Sequence, residues 1–349
     1  MGNLLTYGGL TTKIKAMKSR LIQDEQFREM AGLDSVTSAV DFLKGLPSYS
    51  HILKGAESGE LHRGQIEQLL LQAMYYDFSK LYRFSNLSQR KFMDLYFMHF
   101  EITILKRCLR SIIGHQPLEV DLSQFADFFS RHSKVDLIRL SASRNLTEFT
   151  ANLTGSPYYP MLVHLNNQEH MTLFDYEMNL DLIYFKTMWK VKDKHLKKSE
   201  REAISQCFGE KLDMLNIQWI YRSLKYYHME PAQILALLIP IQYRLRVEQI
   251  RSMAEAGNLE EFFQILGTTY YGSLPVTDIS TQPNPELLSE EILERVYRMT
   301  AQKDPYSIAM VNSYFYFKER EIQRIINIIE SIRYGLTQAQ ILASVMNVT

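Results

Sequence analysis

The sequence predicts an all-α protein built from three repeated helical domains, and three observations predict it. The first is a set of anchors, Leu43, Leu153 and Leu266, spaced 110 and 113 residues apart. Before them stand Met30-Ala31, Leu140-Ser141 and Met253-Ala254, then Ser35-Val36-Thr37-Ser38, Asn145-Leu146-Thr147-Glu148 and Asn258-Leu259-Glu260-Glu261, at matching offsets. After them come Gly45 and Tyr49, Gly155 with Tyr158 and Tyr159, and Gly267 with Tyr270 and Tyr271. The second is a further landmark, Tyr75, Tyr184 and Tyr297, at spacings of 109 and 113. The third is apolar periodicity of three and four along most of the chain, with few alternating stretches. A fixed period means several copies of one supersecondary unit.

The elements follow in order. From Ile66, apolar residues at Leu69, Leu70 and Ala73, then Met74 and Tyr75, recur at three and four and predict a helix. Asn145 and Asn258 precede Glu148 and Glu260–Glu261, an N-cap followed by acidic residues in the first turn. Ile322, Ile325, Ile326, Ile329 and Ile332 form a helical stripe near the end. Breakers cluster at Gly114 to Pro117, Gly155 to Pro160 and Gly272 to Pro285, the last expected to be the longest exposed loop. A third landmark aligns Phe100-Glu101-Ile102 with Leu215-Asn216-Ile217 and Arg320-Glu321-Ile322, followed by Arg107, Arg222 and Asn327. The polar members Glu101, Asn216 and Glu321 are expected to satisfy equivalent contacts inside each copy. With Pro117 and Pro231 opening later copies, the boundaries fall at 1–115, 116–229 and 230–349. Three equal helical wedges can close around an approximate axis and leave a central concavity.

Composition bounds the function. The 349 residues are 46% hydrophobic and 22% charged, a folded-protein balance. The formal net charge is zero, which leaves no global electrostatic footprint for nucleic acid. The copies differ, with 15 basic against 11 acidic residues, then 14 against 14, then 10 against 14. Cys108 and Cys207 lie in apolar helical stretches and are expected to be buried filler rather than a disulfide framework. The sequons at Asn86, Asn145, Asn152 and Asn347 carry no weight without a secretory signal, and the opening shows none. The apolar stretch from Ala232 to Tyr243 contains Pro240 and is about half the length a bilayer crossing needs.

Catalytic patterns are missing. Gly59 to Gly64 has the outer spacing of a phosphate loop, but Gln65 and Ile66 stand where Lys and Ser or Thr are required. No histidine has Glu three residues before it, so no helical di-metal pairs occur, and His164 with His170 is a lone pair. Met1-Gly2-Asn3-Leu4-Leu5-Thr6 formally matches the short N-myristoylation pattern. The segment Lys13, Lys15, Lys18 and Arg20 is the candidate partner contact, because its spacing spreads charge around much of a helix.

The run Tyr314-Phe315-Tyr316-Phe317-Lys318-Glu319-Arg320-Glu321-Ile322, continuing through Ile325, Asn327, Ile328 and Ile329 to Arg333-Tyr334-Gly335-Leu336, resembles the C-terminal signature of the C subunit of V/A-type rotary ATPases. The d subunit of vacuolar enzymes is its relative. The opening Tyr7 and Thr12-Lys13-Ile14-Lys15-Ala16-Met17-Lys18-Ser19-Arg20-Leu21, and the middle segment Leu180-Asp181-Leu182-Ile183-Tyr184-Phe185, resemble the same family. One departure is Arg324-Ile325-Ile326, where relatives often carry Asn-Ile-Arg. The resemblance implies three helical domains in a pseudo-threefold funnel, peripheral on the cytoplasmic face of the membrane. It implies a non-catalytic central-stalk socket between the proteolipid ring and the central-shaft subunits, with no cofactor and no chemistry of its own. A helical-repeat scaffold of another assembly, and an all-helical enzyme without a motif-encoded site, are the alternatives.

Overall fold

The computed structural model describes residues 2–54, 61–118, 120–274 and 284–345, and every regular element among them is helical. Seven helices are long: α1 (Gly2–Lys18), α2 (Arg63–Phe84), α3 (Leu87–Gly114), α4 (Leu173–His195), α5 (Lys198–Arg222), α6 (Pro285–Lys303) and α7 (Ile308–Arg333). After α1 they come in chain order as three pairs, α2–α3, α4–α5 and α6–α7, each joined by a short connection of hairpin length. Groups of short helices alternate with the hairpins, starting with Asp24–Ala31, Val36–Gly45 and Ser50–Leu53. The Gly59 end of the broken phosphate loop, residues 275–283 of the last breaker, Met1 of the lipidation pattern and Asn347 lie outside the described residues.

The predicted stripes are the buried faces. Ile66, Leu70, Ala73, Met74, Phe78 and Leu81 are buried on α2, and Ile322, Ile325, Ile329 and Ile332 on α7. The anchors Leu43, Leu153 and Leu266 are each at most 1% exposed. Ser35, Asn145 and Asn258 cap the helices that precede or carry these anchors, accepting from the backbone N–H of Ser38, Glu148 and Glu261 at 3.1, 2.9 and 2.9 Å. Asn86 caps α3 in the same way, at 3.0 Å from the N–H of Gln89. Two of the sequon asparagines are therefore structural caps.

The hairpin arms end alike. His115 follows α3 with φ 50°, His228 follows the π-turn Ser223–Tyr227 that extends α5 with φ 47°, and Gly335 follows α7 with φ 71°. The left-handed turn lets following N–H groups return to carbonyls of the last turn, as Gln116 to Ser111 at 3.0 Å and Leu336 to Ser331 at 3.1 Å. An L-residue there costs roughly 1–2 kcal/mol, which glycine avoids. On α5, Gly209 has a different task. A Cβ there would stand 2.3 Å from the Tyr243 ring, so the ring lies directly on the helix backbone.

The contacts divide the chain into two compact units, residues 1–184 with 314–349, and residues 185–313. The larger unit has an aromatic core. Phe78 stacks on Phe315 at 5.8 Å, Tyr96 on Phe315 at 4.5 Å and Tyr75 on Phe128 at 4.7 Å. The smaller unit is centred on Met214, Ile217 and Ile220 of α5, packed with Ile250, Met253, Phe262, Leu266 and Ile292. There α5 and α6 run antiparallel, with Cys207 Sγ 3.2 Å from Thr300 Oγ1 and Arg222 2.7 Å from Glu286. Cys108 and Cys207 are buried, and burial pushes both thiols up to about 12, so both remain packing groups.

Tyr75, Tyr184 and Tyr297 are 3%, 4% and 3% exposed and sit about three turns into α2, α4 and α6. The Tyr75 hydroxyl, wrapped by Phe100, Phe125, Phe128 and Phe129, finds no hydrogen-bond partner among the described residues. Tyr75→Ala is expected to lose about 3–5 kcal/mol of stability. Tyr75→Phe should instead be neutral or stabilising, because it removes an unpaired buried hydroxyl. Urea melts of the two variants check this, and equal losses would contradict it.

Candidate functional site

The recurring polar feature is a carboxylate on a long helix that accepts from a tyrosine hydroxyl. On α3, Glu101 accepts from Tyr158 at 2.6 Å and also from the hydroxyl of Ser133. On α5, Asp213 accepts from Tyr271 at 2.8 Å and from the backbone N–H groups of Tyr243, Arg244 and Leu245 at 3.2, 2.7 and 3.1 Å. On α7, Glu321 accepts from Tyr49 at 2.5 Å and from the N–H of Ile22 at 2.6 Å. In the third lock Lys318, fully buried, adds its ammonium 2.6 Å from Glu321 and 2.9 Å from the Tyr49 hydroxyl, 4.1 Å above the Tyr49 ring. All three tyrosines are the ones that follow the anchor leucines, and all three are at most 1% exposed.

Two sequence expectations are corrected here. The second polar member of the third landmark is Asp213, not Asn216; Asn216 instead holds both the N–H and the carbonyl of Ile239. From Tyr75 to Glu101 is 26 positions and from Tyr184 to Asp213 is 29, so the second hairpin carries three extra residues and the alignment slips by almost a turn. The same slip moves the partner of Arg222 from Arg107 to Arg110. Arg110 pairs with Glu177 of α4 at 2.6 Å as Arg222 pairs with Glu286 of α6 at 2.7 Å. Nor are the contacts inside each sequence copy. α3 and α5 are locked to the short helices that follow them, and α7 is locked to the short helices near the start, 272 residues away.

Electrostatics keeps the locks in one protonation pattern. Burial, reinforced by the facing carboxylate, pushes the hydroxyls of Tyr49, Tyr158 and Tyr271 up, so each remains a donor. Burial also pushes the Glu101 and Asp213 carboxyls up, against the opposing pull of their hydrogen-bond donors.

The basic segment lies on α1 and just past its end. Tyr7, Leu10, Ile14 and Met17 form the buried stripe. Lys15 and Arg20 are exposed. Lys13 and Lys18 are half-buried and leave the segment in different directions, Lys13 5.2 Å above the Phe84 ring and Lys18 4.8 Å above the Phe317 ring. These four residues are not gathered on one face, and sequence spacing alone gave no sign of the two aromatic seats. Arg324, the departure from the family pattern, reaches Asp24 at 3.6 Å and lies 5.5 Å above the Phe27 ring.

No group of three metal-ligating side chains occurs among the described residues, and His164 bonds Gln168 at 2.9 Å. A cavity of about 520 Å³ in the smaller unit is lined by Arg201 and Lys303 together with Asp193, Glu202 and Asp304, so its charges oppose one another. Among the described residues no helix is long and apolar enough to cross a membrane.

Against this geometry the family model of the ATP synthase (C/AC39) subunit matches residues 10–344. The chain belongs to that family, which holds the C and d subunits of V/A-type ATPases. It is 23% identical to the A-type ATP synthase C subunit of Methanosarcina mazei over 341 residues, 95% of this chain and 90% of that protein. It is 22% identical to the C subunit of Archaeoglobus fulgidus over 351 residues, 97% of this chain and 96% of that protein. It is 20% identical to the C subunit of Thermococcus kodakarensis over 338 residues, 95% and 87% respectively. For this member of the C/AC39 family, the match spans all three hairpins and all three locks.

One consequence concerns pH. A carboxyl held up in the folded state binds its proton more tightly there than in the unfolded chain. Its contribution is therefore full below the ordinary glutamate value, about 4.3, and is lost as pH rises through the folded value. Glu101→Gln removes this titration while keeping an acceptor for Tyr158. The stability advantage of the parent over Glu101→Gln is expected to shrink as pH rises above the ordinary glutamate value. Paired urea titrations at rising pH measure it, and an advantage that grows with pH would refute the assignment.

Proposed function

We propose that the chain is the non-catalytic central-stalk socket of a V/A-type rotary ATPase, coupling the proteolipid ring of the membrane sector to the central-shaft subunits. The observation that carries this reading is the family match from residue 10 to 344, together with relatives named as the C subunit of A-type ATP synthase over nearly their whole length. On this reading the three locks mark three equivalent modules around a pseudo-threefold axis, forming a funnel whose cavity takes the shaft. The sequence boundaries 1–115, 116–229 and 230–349 mark copies, and each module combines one copy's long helix with the short helices of the next copy around the cycle. The socket works peripherally, on the cytoplasmic face, and converts no substrate.

The contact with the ring is partly electrostatic and includes Lys13, Lys15, Lys18 and Arg20. Lys15 and Arg20 are both exposed, and no acidic residue precedes Asp24 in the sequence, which supports this assignment. Reversing Lys13, Lys15 and Lys18 to Glu is expected to weaken retention on ring-containing membranes severalfold, with the loss smaller at high salt, where screening shortens to about 3 Å at 1 M. Circular dichroism confirms that the fold survives. Retention unchanged by the reversal removes this patch from the interface.

The socket is also expected to bind no ATP in isolation, since Gln65 and Ile66 replace the lysine and hydroxyl that a phosphate loop needs. Titration calorimetry with the purified chain tests this. Micromolar binding would contradict a purely mechanical part.

A further inference from the structure

One corner of the larger unit combines apolar tips with a cluster of positive charge. The connection between α2 and α3 is rigid, since Asn86 and Gln89 cap each other through backbone N–H groups at 2.9 and 3.0 Å. Gln89 also donates to the carbonyl of Thr6 at 3.2 Å, and Lys13 lies over Phe84, so the start of α1 is fixed against this connection. Two leucines of α1 and two residues of the connection then protrude. Leu5 is 86% exposed and Leu87 80%, with Leu4 and Phe84 about half exposed. Exposed large apolar side chains on one fixed corner are unfavourable in water unless something covers them.

The charge around them is mostly positive, bordered by Asp77, 4.0 Å from Lys80, and by the exposed Asp94 one turn beyond Lys91. Residues 1–23 hold Lys13, Lys15, Lys18 and Arg20, residues 78–93 hold Lys80, Arg83, Arg90 and Lys91, and neither stretch contains an acidic residue. Arg83 and Lys91 are exposed, and Lys91 is one turn beyond Leu87 on the same face of α3. Lys13 holds its ammonium 5.2 Å above the ring of Phe84, which ties one cation to one of the apolar tips.

We propose that this corner, Leu4, Leu5, Phe84 and Leu87 with Lys13, Arg83 and Lys91, docks onto an anionic phospholipid surface. Protruding leucines enter the boundary between headgroups and acyl chains, while the cations meet lipid phosphates. A protein partner would need a shaped pocket for each tip; a lipid surface yields to them. Each cation near an anionic surface contributes about 1 kcal/mol, so the contact is reversible and supplements a stronger protein contact. The inference rests on the peripheral membrane reading and adds a second, lipid-borne attachment to it.

The test is co-sedimentation of the full-length chain with vesicles of phosphatidylcholine alone and of phosphatidylcholine mixed equally with phosphatidylglycerol, beside retention on ring-containing membranes. The expected result is binding to the mixed vesicles, little to phosphatidylcholine, and loss in high salt. Leu5→Asp with Leu87→Asp, and separately Lys13→Glu with Lys91→Glu, should each weaken vesicle binding roughly tenfold or more at unchanged circular dichroism. Absence of vesicle binding by the parent, with retention on ring-containing membranes intact, overturns the lipid contact and leaves the socket reading standing. So does vesicle binding indifferent to both variants. Weaker retention of these variants on ring-containing membranes without any vesicle binding assigns the corner to a protein and likewise overturns the proposal. Vesicle binding with no extra retention from the ring supports the lipid contact and counts against the socket.

Discussion

A carboxylate drawn wholly or partly into the core, which must be satisfied there, is the constraint around which this chain is organised. Glu101, Asp213 and Glu321 each interrupt the apolar face of a long helix, and each would destabilise it without donors. Apart from Lys318, which donates to Glu321 from the same helix, the donors come from elsewhere in the chain: a tyrosine hydroxyl in every case, with a serine, three backbone amides or one backbone amide beside it. A satisfied lock therefore dictates which short helices pack on which long helix. Apolar burial alone would not, since leucine-rich faces of three similar copies are nearly interchangeable.

The third lock has a topological consequence. Tyr49 and Ile22 come from the first copy, whereas Lys318 and Glu321 come from the last. The chain is thereby closed on itself through three hydrogen bonds, from Tyr49 and Ile22 to Glu321 and from Lys318 to Tyr49, around the buried Lys318–Glu321 ion pair of α7, rather than left with an unmatched group of short helices at one end and an unmatched hairpin at the other. Repeat proteins with open ends need special capping units; a cyclic exchange needs none. For a part proposed to carry torque, closure of this kind is useful, because opening the joint strips the hydrogen bonds that satisfy Glu321 and Tyr49 in the core.

How much of this was readable beforehand depends on what each residue answers to. Caps, anchors and the landmark tyrosines depend on local rules, and Ser35, Asn145, Asn258, Leu43, Leu153 and Leu266 behave as their positions require. The register of the second hairpin was not legible. Three inserted residues shift a helical pattern by less than a turn, so Asn216 fitted the apolar rhythm about as well as Asp213. The exchange of short helices between copies was not legible either, because order along the chain fixes which units exist and not which of them associate. Lys13 and Lys18 read as free charge in the sequence, yet each is seated on an aromatic ring that lies far away along the chain.

The most direct test of cyclic closure is a double-mutant cycle on Tyr49→Phe and Glu321→Gln, with unfolding free energies from urea melts. A closed lock predicts a coupling energy of about 1–3 kcal/mol, the range for a buried hydrogen bond to a charged group. Effects that add to within about 0.5 kcal/mol would mean that the two residues act independently, and the closure would be wrong.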